Sequence, residues 1–112
     1  MKSEKISILL FVFLCRSLYS ATIIVASDEF KIQDAIESAD SGDTILIKDG
    51  VYTENLVIVD KDLFLQSENG PQPTIIDANQ YSRCIDIKGA SQVELSGVTV
   101  TNGVSDRLVD VF

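Results

Sequence analysis

The amino-acid sequence predicts an all-β solenoid in which short parallel strands wind into about three coils, with one helix at the amino-terminal end. From Thr44 onward, apolar runs of three to five residues alternate with turn residues. Asparagines that each follow such a run recur at Asn55, Asn79 and Asn102, at intervals of 24 and 23 residues. Only the segment near residues 28–40 has helical periodicity. A repeat of this length containing several short strands is typical of a solenoid.

Residues 1–20 have the pattern of a secretory signal peptide. The charged start "MKSEK" precedes the apolar run "ISILLFVFLC" and the exit "RSLYSA". This run is shorter than the ~20 apolar residues of a membrane-spanning helix, and Arg16 ends it. Cleavage after Ser20 predicts one mature domain, residues 21–112, in the periplasm, outside the cell or on its surface. An uncleaved membrane anchor is the alternative, and no other membrane contact is expected.

The chain is acidic, with 9 Lys+Arg, 17 Asp+Glu and a net charge of −8. The predicted mature part is more acidic still, because three of the basic residues lie in the leader. Such a surface repels phosphate backbones and anionic lipid, which argues against nucleic-acid and membrane-surface ligands. It also disfavours an acidic polysaccharide unless cations screen the repulsion. The chain contains no His, which excludes Ser-His-Asp triads, Cys-His dyads and His-containing metal sites.

Cysteine use predicts no disulfide scaffold. Cys15 lies in the leader, and Cys84 is the only cysteine of the predicted mature chain, so no internal disulfide can form. We predict that Cys84 is a partly buried packing residue. An exposed thiol that pairs two chains is the alternative.

The first elements are a strand in "ATIIVAS" and then the helix. Ser27 is the expected N-cap, and Gly42 is suited to the left-handed position after the helix. One helical face is apolar and needs a surface to cover, which predicts a capping role. That face consists of Ile32, Ala35, Ile36 and Ala39.

The remaining runs are "TILI", "LVIV", "LFL", "TII", "CIDI", "VEL", "VTV" and "LVDVF". Strands beginning at Ile45, Leu63, Ile85 and Leu108 are predicted to be equivalent in successive coils, at intervals of 18, 22 and 23 residues. Alternation then predicts which side chains point inward and which point outward. The inward set is Ile45, Ile47, Leu63, Leu65, Ile85, Ile87, Val98 and Val100; the outward set is Phe64, Asp86, Glu94 and Thr99.

Asn55, Asn79 and Asn102 are predicted to be structural. Asparagine tolerates left-handed φ at the bends between sheets, and its amide can bond the stacked equivalent in the next coil. A β-sandwich of antiparallel strands is the competing fold. It is weaker because only "KDGV" offers a tight hairpin turn, and because a sandwich gives no reason for a repeat near 23 residues.

Several motifs resemble the amino-terminal coils of the right-handed parallel β-helix superfamily. They are the helix "IQDAIESA", the coil "GDTILIKDGVYTENLVI", the segment "LFLQSENG", "TIIDAN" and "VELSGVTVTNG", which together span about residues 22–103. The superfamily includes pectinesterases, pectin lyase-like and pectate lyase-like proteins, and periplasmic proteins of the NosD type. The resemblance implies the fold and carries no single activity, since these motifs build coils in enzymes and non-enzymes alike.

The catalytic motifs of the superfamily are not matched. The strings of the polygalacturonase group, Asn-Thr-Asp, Asp-Asp, Gly-His-Gly and Arg-Ile-Lys, do not occur. Pectinesterases carry their catalytic Asp, Gln and Arg on central coils beyond the "TNG" coil. The carboxylate cluster of a lyase Ca²⁺ site is also unmatched around Arg83, Lys88 and Arg107. The sequence therefore predicts no catalytic, cofactor or metal residue.

Weaker candidates for chemistry come from the residues alone. Asp60 and Asp62 flank a turn and suit a weak Ca²⁺ contact, although solvated turn acids are the simpler reading. Asp77 and Asp86, with Arg83, would form an acid-base cluster if both carboxylates faced outward together. Tyr52 and Tyr81 are either stacking faces for a sugar or packing residues.

Two functions follow as expectations. The first is an exported, non-enzymatic β-helix module that binds a polysaccharide or a surface protein and self-associates through an open carboxyl-terminal coil. The second is the amino-terminal part of a pectin-degrading enzyme, of the pectinesterase or polysaccharide lyase type, with its catalytic coils beyond Phe112.

Overall fold

The computed structural model describes residues 20–104. The predicted signal peptide and the predicted strand beginning at Leu108 lie outside the described residues. Within them the chain forms strands and one short helix α1, which confirms the all-β class. The elements are β1 (Thr22–Val25), α1 (Ile32–Ser38), β2 (Thr44–Ile47), β3 (Gly50–Thr53), β4 (Leu56–Val59), β5 (Leu63–Ser67), β6 (Thr74–Asp77), β7 (Ile85–Lys88), β8 (Val93–Ser96) and β9 (Thr99–Thr101).

Every strand pairing in this part of the chain is parallel. The strands form three sheets with the orders β1-β2-β5-β8, β3-β6-β9 and β4-β7. From β2 onward, consecutive strands belong to different sheets, and each strand pairs with the one three places later. Parallel neighbours need a crossover connection. Helix α1 lies in the crossover between β1 and β2, and two intervening strands supply the later ones.

Alternating side chains build the core. In β2, β4 and β5 every second residue is buried, as in Ile45 and Ile47. Full burial of such an aliphatic side chain contributes about 1.5–3 kcal/mol. The predicted inward direction is therefore confirmed for the early strands. Among the predicted outward residues, Phe64, Glu94 and Thr99 are exposed and Asp86 is half-buried.

The predicted equivalence of the strands beginning at Ile45 and Leu63 is confirmed, because β2 pairs with β5, but the predicted equivalence of the strand beginning at Ile85 with these two is wrong. Ile45 lies opposite Leu65, and Ile85 lies in another sheet, opposite Leu56. The error comes from β3, which the run-based prediction did not count as a strand. Its sequence "GVYT" has a single buried side chain, Tyr52, and so shows no apolar run.

Helix α1 is shorter than predicted and is not capped by Ser27. The N-cap residue is Lys31, whose side chain makes no capping bond. Instead, the Glu54 carboxylate accepts the N–H groups of Ile32 (2.9 Å) and Gln33 (3.0 Å). These bonds satisfy two of the N–H groups that a helix start leaves without an intrahelical partner. An anchor in the connection between β3 and β4 therefore satisfies the start of the helix.

The predicted capping face of the helix is confirmed. All four predicted face residues, Ile32, Ala35, Ile36 and Ala39, are buried. Helix α1 contacts β1, β2 and β4, and Gly42 has a φ of 96° after the helix. Between residues 20 and 104, no helix has both the length and the apolar content needed to cross a membrane.

Candidate functional site

A pocket of about 300 Å³, here called the Tyr81 pocket, opens beside the β4–β7 sheet. It combines apolar, amide, hydroxyl, cationic and carboxylate groups. Its lining residues are Asn55, Leu56, Val57, Tyr81, Ser82, Arg83, Asp86 and Val104. The parallel register puts Val57 opposite Asp86, so adjacent strands supply the apolar and the charged part of one wall.

The loop between β6 and β7 projects Tyr81 into solvent. Asn79 and Gln80 have φ values of 54° and 56°, and the N–H of Tyr81 donates to the carbonyl of Ala78 at 3.1 Å. This left-handed turn reverses the chain and leaves Tyr81 84% exposed. An exposed aromatic ring on a turn offers a flat apolar face with a hydroxyl at its tip.

Asn55, the residue before β4, fixes the same loop. Its side-chain amide donates to the carbonyl oxygens of Arg83 (3.0 Å) and Ala78 (3.4 Å), one at each end of the loop. Its role is structural, as predicted, but the predicted bond to a stacked asparagine is replaced by these two carbonyls. Asn102, which has a φ of 57°, likewise bonds a different partner, the carboxylate of Asp77.

The charged groups of the pocket form a loose cluster around Asp86. One carboxylate oxygen lies 3.5 Å from Arg83 and the other lies 3.7 Å from Lys88. The side chains of Arg83 and Asp86 are 47% and 28% exposed. Such partly exposed pairs contribute about 0–1 kcal/mol to stability, so they are easily rearranged by a ligand. The pocket thus presents hydrogen-bond donors and acceptors close to an aromatic face.

Asp77 does not join Asp86 as predicted. It ends β6, in a different sheet, and it accepts the side-chain amide of Asn102 (2.9 Å) and the N–H of Asn79 (2.8 Å). The Asn102 bond, followed by the Asn79 bond, holds the pKa of Asp77 below its usual range. Of the predicted acid-base cluster, only the contact between Arg83 and Asp86 is formed.

Asp60 and Asp62 bind backbone rather than facing an ion together. Their carboxylates accept the N–H groups of Ala90 and Gln92, each at 2.8 Å, and so attach the turn after β4 to the turn after β7. Asp60 has a φ of 51°, a left-handed conformation that aspartate tolerates. Residues 20–104 contain no group of three or more His, Cys, Asp or Glu side chains arranged to hold a metal ion.

Tyr52 and Cys84 are core residues. The hydroxyl of Tyr52 donates to the carbonyl of Lys48 (2.7 Å) and approaches that of Val25 (3.3 Å). Burial, with a smaller effect of Glu54 and other nearby acids, raises the pKa of Tyr52. Cys84 is buried, in agreement with its predicted packing role, and burial raises the pKa of its thiol. Of the two tyrosines, Tyr81 alone is placed to stack on a ligand.

A second groove, of about 540 Å³, lies between α1 and the β4–β7 sheet. Its main polar groups already have partners. The Gln33 side chain accepts the N–H of Val57 (2.9 Å) and donates to the Val57 carbonyl (3.0 Å). Lys61 Nζ donates to the carbonyls of Ile36 (2.8 Å) and Glu37 (3.2 Å) at the end of α1. This groove is mainly the attachment of the helix.

Sequence reasoning missed the three side chains that attach the helix, Gln33, Glu54 and Lys61. Their partners lie 21 to 25 residues away in the sequence. No local motif contains such a pair, because these contacts arise from the pairing of strands that are distant in the sequence. The 20- to 30-residue spacing of paired strands was the only signal that could have indicated them.

No known protein family, no curated protein and no solved structure matches this chain. Its function therefore has to be argued from the geometry of the Tyr81 pocket and from the sequence.

Proposed function

We propose that the chain is an exported right-handed parallel β-helix module that binds a polysaccharide in the Tyr81 pocket without catalysis of its own. The β-helix part of the proposal is supported by the strand order, in which β2 to β9 pass through the three sheets in rotation. The handedness follows from the strong preference of parallel crossover connections for the right-handed form. Export is supported by the signal-like residues 1–20.

The observation that carries the binding proposal is the exposed ring of Tyr81 beside Arg83 and Asp86. A sugar ring has an apolar face bordered by hydroxyl groups. The tyrosine ring suits the apolar face, while the guanidinium donates to hydroxyl oxygens and the carboxylate accepts from hydroxyl hydrogens. At about 300 Å³ the pocket is at the small end of ligand sites, which suits one part of a longer chain rather than a whole enclosed molecule.

The charge of the chain favours a neutral polysaccharide. The net charge of −8 repels polyanions, whereas a neutral polymer meets no such penalty. Within a pectin-like series, the methyl-esterified polymer should therefore bind better than the de-esterified one. The open face of the β4–β7 sheet, with Val57 and Val59 exposed, extends the contact beyond the pocket.

The test is a titration of the isotope-labelled full chain with methyl-esterified and de-esterified oligogalacturonides, followed by the amide signals of Val57, Ser82 and Asp86. We expect shifts at these three amides with the esterified ligand, and Tyr81→Ala should weaken the affinity about tenfold, the loss of one stacking contact of about 1.4 kcal/mol. Phe64→Ala is the matched control, because Phe64 is an exposed aromatic residue on another sheet. Absence of shifts, or equal weakening by both variants, would contradict the proposal.

Export is tested separately. Expression of the full chain behind its own leader, followed by mass spectrometry of the extracted protein, should show an amino terminus at Ala21. A chain that keeps residues 1–20 would show that the leader is retained as an anchor or not processed.

A further inference from the structure

The start of β1 is held by the carboxylate of Asp43. One carboxylate oxygen accepts the N–H of Asp40 (2.9 Å), within the turn that follows α1, and the other accepts the N–H of Ala21 (2.8 Å), 22 residues earlier in the chain. The carbonyl of Ala21 accepts the N–H of Thr44 (2.9 Å), so Ala21 continues the pairing of β1 with β2 by one residue. The backbone of Ala21 is therefore fixed at both its nitrogen and its oxygen.

Asp43 is buried without a cation. It is only 6% exposed, and no lysine or arginine of residues 20–104 forms an ion pair with it. Aspartate is seldom buried this deeply unless it is paired, because moving a charge out of water is costly. Two backbone N–H groups satisfy only part of its capacity, since a carboxylate has about four acceptor positions. The site therefore suits a positive charge in place of a neutral amide.

The nitrogen that Asp43 binds is the one that cleavage after Ser20 would set free. Hydrolysis of the bond between Ser20 and Ala21 adds one water molecule. It leaves Ser20 as a carboxylate and the nitrogen of Ala21 as an α-ammonium group, the proton of the new carboxyl group being balanced by the one that the amine binds near neutral pH. Both residues are exposed, and β1 begins only at Thr22. The cut therefore removes no residue of the sheet.

We infer that Asp43 is the counter-ion of the mature amino terminus, so that cleavage after Ser20 replaces an amide hydrogen bond by an ion pair and tightens β1 against β2. This inference rests on the export proposed above and is independent of the proposed ligand. The distance of 2.8 Å between nitrogen and oxygen already lies in the range of charge-assisted hydrogen bonds. The other two N–H groups of the ammonium can face water, because Ala21 is exposed.

This ion pair makes the stability of the first strand depend on processing. With the leader attached, the nitrogen of Ala21 is a neutral amide and the charge of Asp43 lacks a partner. Removal of the leader supplies the cation, and the acidic surface of the mature chain attracts it further. A hydrogen bond to a charged group contributes more than a neutral one. The chain gains this stability only after cleavage, which suits export in an unfolded state.

The test compares the exported chain, which begins at Ala21, with an otherwise identical chain that keeps Ser20. Both have the same net charge, but in the second chain the nitrogen of Ala21 is an amide and the ammonium lies one residue further away. Urea unfolding should give the exported chain a folding equilibrium constant about fivefold larger. Equal constants would overturn the inference. An exported chain that begins at another residue would overturn it through the cleavage site, which mass spectrometry identifies separately.

Asp43→Asn separates the effect of the charge from that of the turn. Disturbance of the Asp40 bond is common to both chains and cancels when they are compared. The loss in the folding equilibrium constant should be about fivefold greater in the exported chain than in the chain that keeps Ser20. Asp62→Asn is the matched control, because Asp62 also accepts a backbone N–H at 2.8 Å, from Gln92. Its effect should be the same in both chains. Equal effects of Asp43→Asn would overturn the inference.

Hydrogen exchange followed by NMR gives a local measurement that does not depend on either variant. The amide of Thr44, which is bonded to the carbonyl of Ala21, should exchange about fivefold more slowly in the exported chain than in the chain that keeps Ser20. The amide of Gln92, in an exposed turn, should change by less than about twofold. Equal exchange of Thr44 in the two chains would show that the charge does not tighten β1, and would overturn the inference even if Asp43→Asn fails to fold.

Discussion

The end of the molecule covered by α1 and the end formed by β7, β8 and β9 bury equivalent side chains to very different extents. Ile58 is fully buried, but its partner Ile87 is 48% exposed; Leu65 is 1% exposed, but its partner Leu95 is 37% exposed. Register gives each pair the same direction. The comparison shows that alternation determines where a side chain points, while a neighbour on each side determines whether it is buried.

The backbone differs between the two ends in the same way. At the helix end, the Gln33 side chain bonds both the N–H and the carbonyl of Val57 on β4. Glu54 and Lys61 hold the two ends of the helix in place. Within the described residues, β7, β8 and β9 each have a neighbouring strand on one side only. The β4 edge of the β4–β7 sheet is therefore closed by a side chain, whereas its β7 edge has no neighbouring strand within residues 20–104.

The largest expected difference between the ends comes from truncating paired isoleucines. Ile58→Ala should lower the free energy of unfolding by about 3 kcal/mol, because it leaves a cavity in a fully buried position. Ile87→Ala should cost less than half of that, since solvent already reaches the site. Urea unfolding followed by circular dichroism measures both. Equal losses would show that the far end is covered as fully as the helix end.

The next largest effect on the free energy of unfolding is expected from Glu54, whose carboxylate binds the start of the helix. Glu54→Gln should lower the free energy of unfolding by about 1–2 kcal/mol, because an amide oxygen replaces a charged acceptor and its NH₂ group faces a helix N–H. Glu94→Gln is the control at the open end, where the exposed Glu94 should change stability by no more than about 0.5 kcal/mol. Comparable effects in the same urea experiment would mean that the Glu54 contacts do not hold α1.

Removing the Gln33 side chain from the β4 edge is expected to have a smaller effect on the free energy of unfolding. Gln33→Ala should cost about 1 kcal/mol and should speed hydrogen exchange at the Val57 amide, which would then face water. Gln66→Ala, at an exposed position on β5, should leave both quantities unchanged. If the Val57 amide exchanges equally fast in the native chain and in Gln33→Ala, the glutamine does not protect this edge.

The smallest expected effect is the contribution of Asp77 to the pH dependence of stability. The pKa of Asp77 is lowered in the folded chain. The stability that ionised Asp77 adds to the folded chain is therefore present above the ordinary carboxyl range, and it is lost as the pH falls through the lowered pKa. Asp77→Asn should therefore destabilise the chain at neutral pH, and the difference from the native chain should shrink on acidification. Urea unfolding at several pH values measures this, with Glu94→Gln as control. A difference that is independent of pH would rule out the Asn102 and Asn79 bonds as its cause.

The fold class was predictable because short, β-rich apolar runs recur between turn residues along most of the chain. β2 and β5 each place two large aliphatic side chains inward, and the face of α1 was correct at all four positions. β3 was not predictable from its own residues, since only Tyr52 points into the core. Pairing intervals also differ among the sheets: 20 residues separate Ile45 from Leu65 and 30 separate Leu65 from Leu95. Loop lengths set these intervals, and no strand pattern encodes them.

The candidate site was predictable only in part, for a related reason. Tyr81, Arg83 and Asp86 are close in sequence, so naming them as candidates needed no knowledge of the fold. The predicted grouping of Asp77 with Arg83 and Asp86 failed because Asp77 belongs to a different sheet. Contacts between strands that are distant in the sequence depend on register, which the sequence does not specify until the strands are correctly paired.

The two hydrogen bonds that Gln33 makes with Val57 limit how a second molecule could extend the β4–β7 sheet. One amide provides a donor and an acceptor where a further strand would have bonded β4, so the sheet cannot be extended past the helix. Within residues 20–104, the β7 edge is the remaining edge of this sheet at which a second copy could pair. Such a contact is the same on both partners and closes after two molecules, whereas a head-to-tail contact would continue into a filament. In this sheet, one side chain thus occupies the second edge that a head-to-tail filament would need.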